Sequence, residues 1–392
     1  MKIVVDENMP FVAPLFGDFA DVVPLPGRTL SPEDVKDADA LLVRSVTQVN
    51  SALLSGSQVS FVGSATIGTD HLDIPWLEQQ GICWTNAPGC NALAVADYVV
   101  SSLYQLSDLF QCPLAERTFG IVGVGNVGRR VQQRLEGLGL SVLLCDPFRQ
   151  ENEPDQNFVS LDELLAGADT LCLHTPLTHA GPYPTYHLLG ANELEKLKPG
   201  TWLLNAGRGP VIDNKALLKH CQTVTSPLGL VLDVWENEPV VDAKLAEFAH
   251  IATPHIAGYS LDGKARGTFM LYEALCDHIG RMADKRLADL LPVLTLDMQQ
   301  FLVEPDAVAL MQSIYSPNGD DQRFRESLLA DNQPEAFDQL RKTYPVRREF
   351  GGAVLSGTAV AQLLAEQPAL HQQLTGMGFQ VALGSADQRE GR

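Results

Sequence analysis

A short apolar run, Phe119-Gly120-Ile121-Val122, leads straight into Gly123-Val124-Gly125-Asn126-Val127-Gly128, and a helical pattern continues from there to Leu138. A strand that passes through G-x-G-x-x-G into a helix leaves few options for the fold. Gly123 permits the tight turn and Gly125 lets the backbone approach a pyrophosphate. Gly128 allows close packing of helix on strand, and the helix N-terminus offers unpaired N–H groups and a positive dipole end to the phosphates. Asn126 and Val127, at that N-terminus, join the three glycines as expected cofactor contacts. The next apolar run ends in Cys145-Asp146-Pro147, with Asp146 18 residues after Gly128. A carboxylate in that place accepts hydrogen bonds from the adenosine ribose and repels a 2′-phosphate, so the expected cofactor is NAD rather than NADP.

The rest of the chain has the rhythm that such a loop needs. Before it, runs at 2–5, 22–25, 40–43, 59–63 and 82–85 read as strands. Helix signals separate them, such as Ser31-Pro32-Glu33-Asp34, with a capping serine, a proline at the first helical position and acids in the first turn. Residues 91–109 read as a long linking helix. Strand candidates recur at 119–123, 141–145, 170–174, 202–205 and 229–232. Strands alternating with helices make βαβ units and parallel sheets. The expected fold class is therefore α/β, with two doubly wound parallel-sheet domains and a smaller C-terminal α/β domain. The helical stretch at 264–278 follows the second series, so the chain can return there to the first domain. We expect a substrate domain over 1–92 and 257–286, a Rossmann NAD-binding domain over 93–256, and the C-terminal domain over 287–392. That last stretch loses the strand–helix rhythm. Its segments 306–314, 321–329 and 334–342 read as helices, and its polar end, 385–392, as frayed.

Composition narrows the function. Twenty-eight Lys+Arg against 48 Asp+Glu give a net charge of -20, the opposite of the basic face that nucleic acid requires. The longest charge-free stretch, 45–69, is too rich in Ser, Thr, Gly and Gln to span a membrane. The opening run 1–6 reads as a strand, not as a signal peptide. Seven scattered cysteines without a C-x-x-C pair argue for reduced thiols in a cytoplasmic protein and against a zinc site, so no metal is expected.

Hydride transfer from a hydroxy acid to NAD needs a cation for the carboxylate, a base for the hydroxyl proton and a group to orient that base. Leu203-Leu204-Asn205-Ala206-Gly207-Arg208-Gly209 puts an arginine just past an apolar strand, at the end where open α/β sheets bind ligands. Val231-Leu232-Asp233-Val234-Trp235-Glu236-Asn237-Glu238-Pro239 places carboxylates at another strand end, and Thr253-Pro254-His255-Ile256-Ala257-Gly258 brings a histidine into a turn.

Together with the glycine loop, these motifs resemble the D-isomer-specific 2-hydroxyacid dehydrogenases over about residues 1–280. The resemblance implies that Arg208 binds the substrate carboxylate, that His255 is the acid/base, and that Glu238 hydrogen-bonds His255. Glu236 is a rival for that last role, with a spacing that fits less well. Asp233 is implied on the nicotinamide side, and Thr175, Ala206, Arg208 and Gly258 complete the cofactor contacts.

A narrower match, carried by Arg44-Ser45-Val46-Thr47, the run 63–71, the run 255–268 and Tyr344-Pro345-Val346-Arg347-Arg348-Glu349-Phe350, covers essentially the whole chain. It is similar to one branch of the family, which oxidises 4-phospho-D-erythronate with NAD in pyridoxal 5′-phosphate (vitamin B6) biosynthesis. That branch implies Ser45, Thr66 and Tyr259 as substrate contacts and a homodimer formed through the C-terminal domain. A phosphorylated hydroxy acid needs a second anion site, for which Arg44, at a strand end, is the candidate. Arg347 and Arg348 are a weaker one, reaching a cleft only from a partner subunit and otherwise solvated. The loop 178–187 takes no role. Sibling enzymes fit less well: the regulatory domain of a 3-phosphoglycerate dehydrogenase reads βαββαβ, and hydroxypyruvate reductases stop near the end of the two-domain core. An NAD-sensing corepressor is at odds with the charge and with a complete Arg/Glu/His set.

Overall fold

The computed structural model describes residues 1–153 and 155–382; the polar end at 385–392 lies outside the described residues. The chain forms two compact units. The first joins Met1–Leu93 to Tyr259–Val293, and the second joins Ala94–Gly258 to the chain from Leu294 onward.

In the first unit, β1 (Lys2–Asp6), β2 (Asp21–Leu25), β3 (Ala40–Val43), β4 (Phe61–Ser64) and β5 (Cys83–Thr85) form a parallel sheet of order β2-β1-β3-β4-β5. The order reverses between β1 and β3, so the crevice beyond the carboxyl ends of those strands is where such a sheet takes a ligand. Arg44 and Ser45 follow β3 directly. The returning helix Leu261–His278 covers one face, packing Leu271, Tyr272, Leu275 and Cys276 on Ile3, Val5, Leu42 and Phe61. It sits close because of two glycines one turn apart. A Cβ on Gly267 would stand 3.0 Å from the Ala65 carbonyl oxygen, and one on Gly263 would stand 3.2 Å from the Asn91 Cα. This packing fixes the helix against the 65–69 turn after β4.

In the second unit, β6 (Thr118–Val122), β7 (Ser141–Cys145), β8 (Thr170–Leu173), β9 (Trp202–Asn205), β10 (Gly229–Leu232) and β11 (Ile251–Ala252) form a parallel sheet of order β11-β10-β9-β8-β6-β7. Its reversal lies between β6 and β8, which puts the glycine loop and the His174-Thr175 pair beside each other at the ligand end. The chain after Leu294 adds the helices Met298–Val303, Ala307–Ile314, Asn318–Ser327, Gln333–Lys342, Thr358–Glu366 and Pro368–Met377, with a small parallel pair, β12 (Val354–Ser356) and β13 (Gln380–Ala382).

The sequence reading sets this C-terminal stretch apart as a domain, whereas in the structure it shares a core with the NAD-binding part. Phe324 and Phe337, 0% and 2% exposed, belong to the same buried cluster as Leu203, Leu230 and Trp235. The helix Pro368–Met377 also crosses the helix Asn126–Gly137 at a pair of glycines. A Cβ on Gly376 would lie 2.7 Å from the Gly137 carbonyl carbon. Gly376→Leu is expected to lower the melting temperature by about 2–10 °C, since overpacking costs roughly 1–3 kcal/mol and each kcal/mol is worth a few degrees in a unit of this size. A thermal melt checks this, and an unchanged midpoint would show that the crossing is not tight.

Candidate active site

The expected base sits in a strained turn with strong support. His255 has φ of 58°, a left-handed conformation unusual for a residue with a side chain. The support comes from the end of β10. Asp233 is 1% exposed, and its carboxylate accepts the amides of Ile256 at 2.8 Å and Ala257 at 2.9 Å and the Thr253 hydroxyl at 2.6 Å. Its carbonyl accepts the amide of His255 at 2.7 Å. The Thr253 hydroxyl also meets the Tyr98 hydroxyl at 2.8 Å. Burial pushes the Asp233 pKa up, opposed by the charge of His255 and these hydrogen bonds. Expected on the nicotinamide side, Asp233 therefore has the work of holding the loop that presents the histidine.

Glu238 lies beside the imidazole, its Oε2 2.7 Å from His255 Nδ1, and its Oε1 accepts the Trp235 amide at 2.8 Å. Burial raises the Glu238 pKa, but the charge and hydrogen bond of His255 with the Trp235 amide outweigh it and hold the carboxyl below its ordinary value. An ionised Glu238 at Nδ1 sets the tautomer and leaves Nε2 for a substrate proton. The rival, Glu236, is engaged elsewhere: it pairs with His187 Nε2 at 2.7 Å and accepts the Asn214 amide at 3.0 Å. His187, Asp213 and Glu236 have the composition of a metal site among the described residues, although no metal was expected. Each ring nitrogen of His187 faces a different carboxylate, with Asp213 3.8 Å from Nδ1.

Arg208 stands on a turn braced from both sides. The Asn205 side chain donates to the Arg208 carbonyl at 3.0 Å and accepts the Gly207 amide at 3.1 Å. Gly209 is pressed against the loop after β10, where a Cβ would fall 2.0 Å from the Trp235 carbonyl oxygen. No other residue fits there, and that contact ties the arginine turn to the loop carrying Glu238.

The cofactor cradle follows from the glycine loop. Gly123 has φ of 84°, and a Cβ on Gly128 would collide with the Gly123 carbonyl oxygen at 2.0 Å. Nothing lies within 4 Å of a Cβ on Gly125, which leaves its backbone open; Asn126 is exposed beside it and Val127 half-buried. The Asp146 carboxylate accepts the amides of Val124 at 2.8 Å and Arg149 at 3.1 Å. Arg149, the cation nearest in sequence to Asp146, is held by Glu153, with Nε 2.9 Å from Oε1. The residues fit a dinucleotide on a second count. Thr175 Oγ1 and both ring nitrogens of His174 are buried without hydrogen-bond partners among the described residues, beside Gly123. Burial lowers the His174 pKa to about 4, so its ring is neutral. The sequence reading assigned His174 no role, although it is adjacent to Thr175. Ala206, directly after β9, and Gly258, six residues beyond β11, are half-buried.

The other expected contacts belong to the first unit. Ser45 is exposed; Arg44, Thr66 and Tyr259 are half-buried. The Thr66 hydroxyl donates to the Gly68 carbonyl at 3.1 Å and meets Ser64, whose hydroxyl lies 2.9 Å from the buried His71 ring. The Arg44 guanidinium lies over the Tyr259 ring at 5.8 Å.

Comparison with known proteins agrees with this geometry. Residues 94–257 match the model of the D-isomer specific 2-hydroxyacid dehydrogenase NAD binding domain, and residues 290–368 match a domain of unknown function. The chain is 49% identical over 360 residues to an erythronate-4-phosphate dehydrogenase of Shewanella baltica, covering 91% of this chain and 95% of that one. It is 48% identical over 384 residues to the Pseudomonas putida F1 enzyme of the same name, covering 96% and 99%. The chain belongs to the erythronate-4-phosphate dehydrogenase family. Among solved structures, a Thermus thermophilus protein (TT0316) matches with a TM-score of 0.63 and 25% identity over 73% of this chain and 99% of its own. The NAD-bound 3-phosphoglycerate dehydrogenase of Entamoeba histolytica matches at 0.61 and 26%, over 71% and 95%. The protein is thus an NAD-dependent oxidoreductase, with the cofactor on residues 94–257.

One expectation needs correction within this family frame. Arg347 is not a solvated charge but 4% exposed. Its guanidinium donates to the Ala257 carbonyl at 3.1 Å and to the Ala94 carbonyl, and it stacks 3.7 Å over the Tyr315 ring. Sequence reasoning treated it, with the half-buried Arg348, as a surface cation because its carbonyl partners lie far away in the chain.

The orphaned Thr175 hydroxyl gives a clean test of the cradle. Thr175→Val is expected to raise the NAD dissociation constant about fivefold, the worth of a hydrogen bond of about 1 kcal/mol. The melting temperature of the cofactor-free protein should hold or rise, because an unpartnered buried hydroxyl has been removed. Calorimetric titration and a thermal melt measure both, and unchanged NAD affinity would exclude the contact.

Proposed function

We propose that the protein oxidises 4-phospho-D-erythronate at C2 to (R)-3-hydroxy-2-oxo-4-phosphooxybutanoate, a step of pyridoxal 5′-phosphate (vitamin B6) biosynthesis. The observation that supports this reading most is the Glu238–His255 pair at 2.7 Å beside the braced Arg208 turn, in a chain whose relatives carry the corresponding name. Arg208 holds the C1 carboxylate bidentately and polarises the C2 oxygen. Unprotonated His255 accepts the C2 hydroxyl proton at Nε2, and ionised Glu238 stabilises the imidazolium that results. NAD, when bound, takes the C2 hydride. Ser45, Thr66 and Tyr259 hold the body of the substrate, and Arg44 receives its phosphate.

The sibling readings gain nothing from the C-terminal chain, whose helices and single parallel strand pair do not follow a βαββαβ order. We also infer a homodimer through this stretch. Val346 and Val354 there are 78% and 54% exposed, and β12 pairs only with β13 among the described residues. Light scattering should give the mass of two chains, and a monomer would exclude it. No helix among the described residues is long and apolar enough to cross a membrane, and all seven cysteines are unpaired, which supports a cytoplasmic enzyme.

Turnover with 4-phospho-D-erythronate, with the 2-oxo product trapped, should far exceed that with 3-phospho-D-glycerate; the reverse preference would overturn the substrate. His255→Ala should lower kcat by about 10²–10⁴-fold. If it kept more than about a tenth of the wild-type rate with chemistry limiting, the assignment of the base would be wrong.

A further inference from the structure

In the first unit, a second cation gathers where Arg44 lies. Lys264, in the first turns of the helix Leu261–His278, brings its ammonium 4.9 Å from the centre of the Tyr259 ring, the ring that the Arg44 guanidinium also covers. Like charges on adjacent side chains repel, and side chains as long as these can swing apart into water. Lys264 is instead half-buried. Its pKa is lowered to about 8, by burial and then by the charge of Arg44, and no carboxylate opposes either effect. Neither cation has an acidic partner among the described residues, in a chain with 48 acidic residues against 28 basic ones.

The backbone makes the pairing persistent. Arg44 follows β3 at the reversal of strand order, where this sheet takes a ligand, and Gly263 and Gly267 clamp the helix against the turn carrying Thr66. The two cations are thus held together by packing rather than by attraction, and a bound anion relieves the repulsion while both stay charged. A carboxylate would neutralise one of them; a phosphate monoester, with nearly two charges and three acceptor oxygens, suits both.

We propose that Lys264 joins Arg44 in a two-cation seat for the phosphate of the substrate, with Tyr259 as the surface against which both are held. The inference rests on the function proposed above for the substrate's identity, but it concerns a phosphate seat that can be tested without turnover. Arg44 acts as the directional fork and Lys264 as the adaptable point charge.

The first measurement is calorimetric binding of inorganic phosphate to NAD-saturated protein, so that the dinucleotide loop is filled. Wild type should bind it, Lys264→Met should weaken binding by about 10- to 100-fold, the worth of a hydrogen bond to a charged group, and Lys264→Arg should restore most of it. Phosphate that fails to bind, or binds wild type and Lys264→Met alike, overturns the proposal. The second measurement separates the seat from the identity of the substrate. The ratio of kcat/KM for 4-phospho-D-erythronate over unphosphorylated D-erythronate should fall by a similar factor in Lys264→Met and Arg44→Ala, mostly through KM. An equal loss on both substrates would make Lys264 a structural residue. A wild type that binds phosphate through Lys264 yet leaves 4-phospho-D-erythronate unoxidised would overturn the substrate assignment alone. Lys264→Gln, melting with wild type, serves if the methionine variant does not fold.

Discussion

The loop that presents His255 depends on one buried carboxylate. Asp233 collects two loop amides, a threonine hydroxyl and, through its own carbonyl, the amide of the histidine itself. A charge taken out of water costs several kcal/mol unless its lone pairs are filled, and here they are filled by the segment that must be held still. The same bonds stabilise the left-handed backbone of His255, a conformation costing of order 1–3 kcal/mol that persists only where the surroundings enforce it. Because the strain and its compensation meet at one residue, the imidazole is positioned by the strand end rather than by its own turn.

Two carboxylates near the histidine divide the work by depth. Asp233, nearly sealed from solvent, binds backbone and sets where the ring starts; Glu238, more exposed, binds the ring and sets its tautomer. A single carboxylate could not do both, since the acceptor that holds main-chain amides has no free geometry to follow an imidazole. The C-terminal chain closes the arrangement from the far side. Arg347 takes the carbonyl of Ala257 while Asp233 takes its amide, so one peptide neighbourhood is gripped at both ends. Tyr315, beneath the guanidinium, faces Tyr98, whose hydroxyl returns to Thr253 and so to Asp233. A stretch that carries no catalytic motif thereby takes part in setting the loop that does.

What could be read from the sequence follows from this division. The glycine loop, the strand-end arginine and the histidine turn are legible because their chemistry is local: a few neighbouring residues of the right type at fixed spacing suffice. The spacing that favours Glu238 over Glu236 is also read at that range, whereas the His187 and Asn214 contacts that occupy Glu236 are visible only in the structure. Arg347 was misread because its partner is 90 residues away and is a backbone carbonyl, which no residue pattern marks. The membership of the C-terminal helices in the second core was equally invisible, since Phe324 and Phe337 sit in ordinary amphipathic patterns whose partners lie elsewhere in the chain. Lys264, inside the run 255–268, carries no role at the level of sequence, because its significance lies in a second cation more than 200 residues earlier.

The acidity of the chain and its anionic substrate are compatible for a reason of range. Charges separated by more than about 8 Å are largely screened at physiological ionic strength, so most of the -20 charge contributes little at any one point. At contact distance, in a half-buried setting, two cations exceed that background. The acidic surface keeps weakly bound anions away, and the few cations not paired with acids are where an anion can reside. Arg44, over the Tyr259 ring that Lys264 also approaches, is a cation of this kind. Holding Arg44 so removes from the binding step part of the entropy of ordering a long side chain, which is roughly 2 kcal/mol for an arginine. A seat built this way favours a phosphate monoester, with nearly two charges, over a group with one.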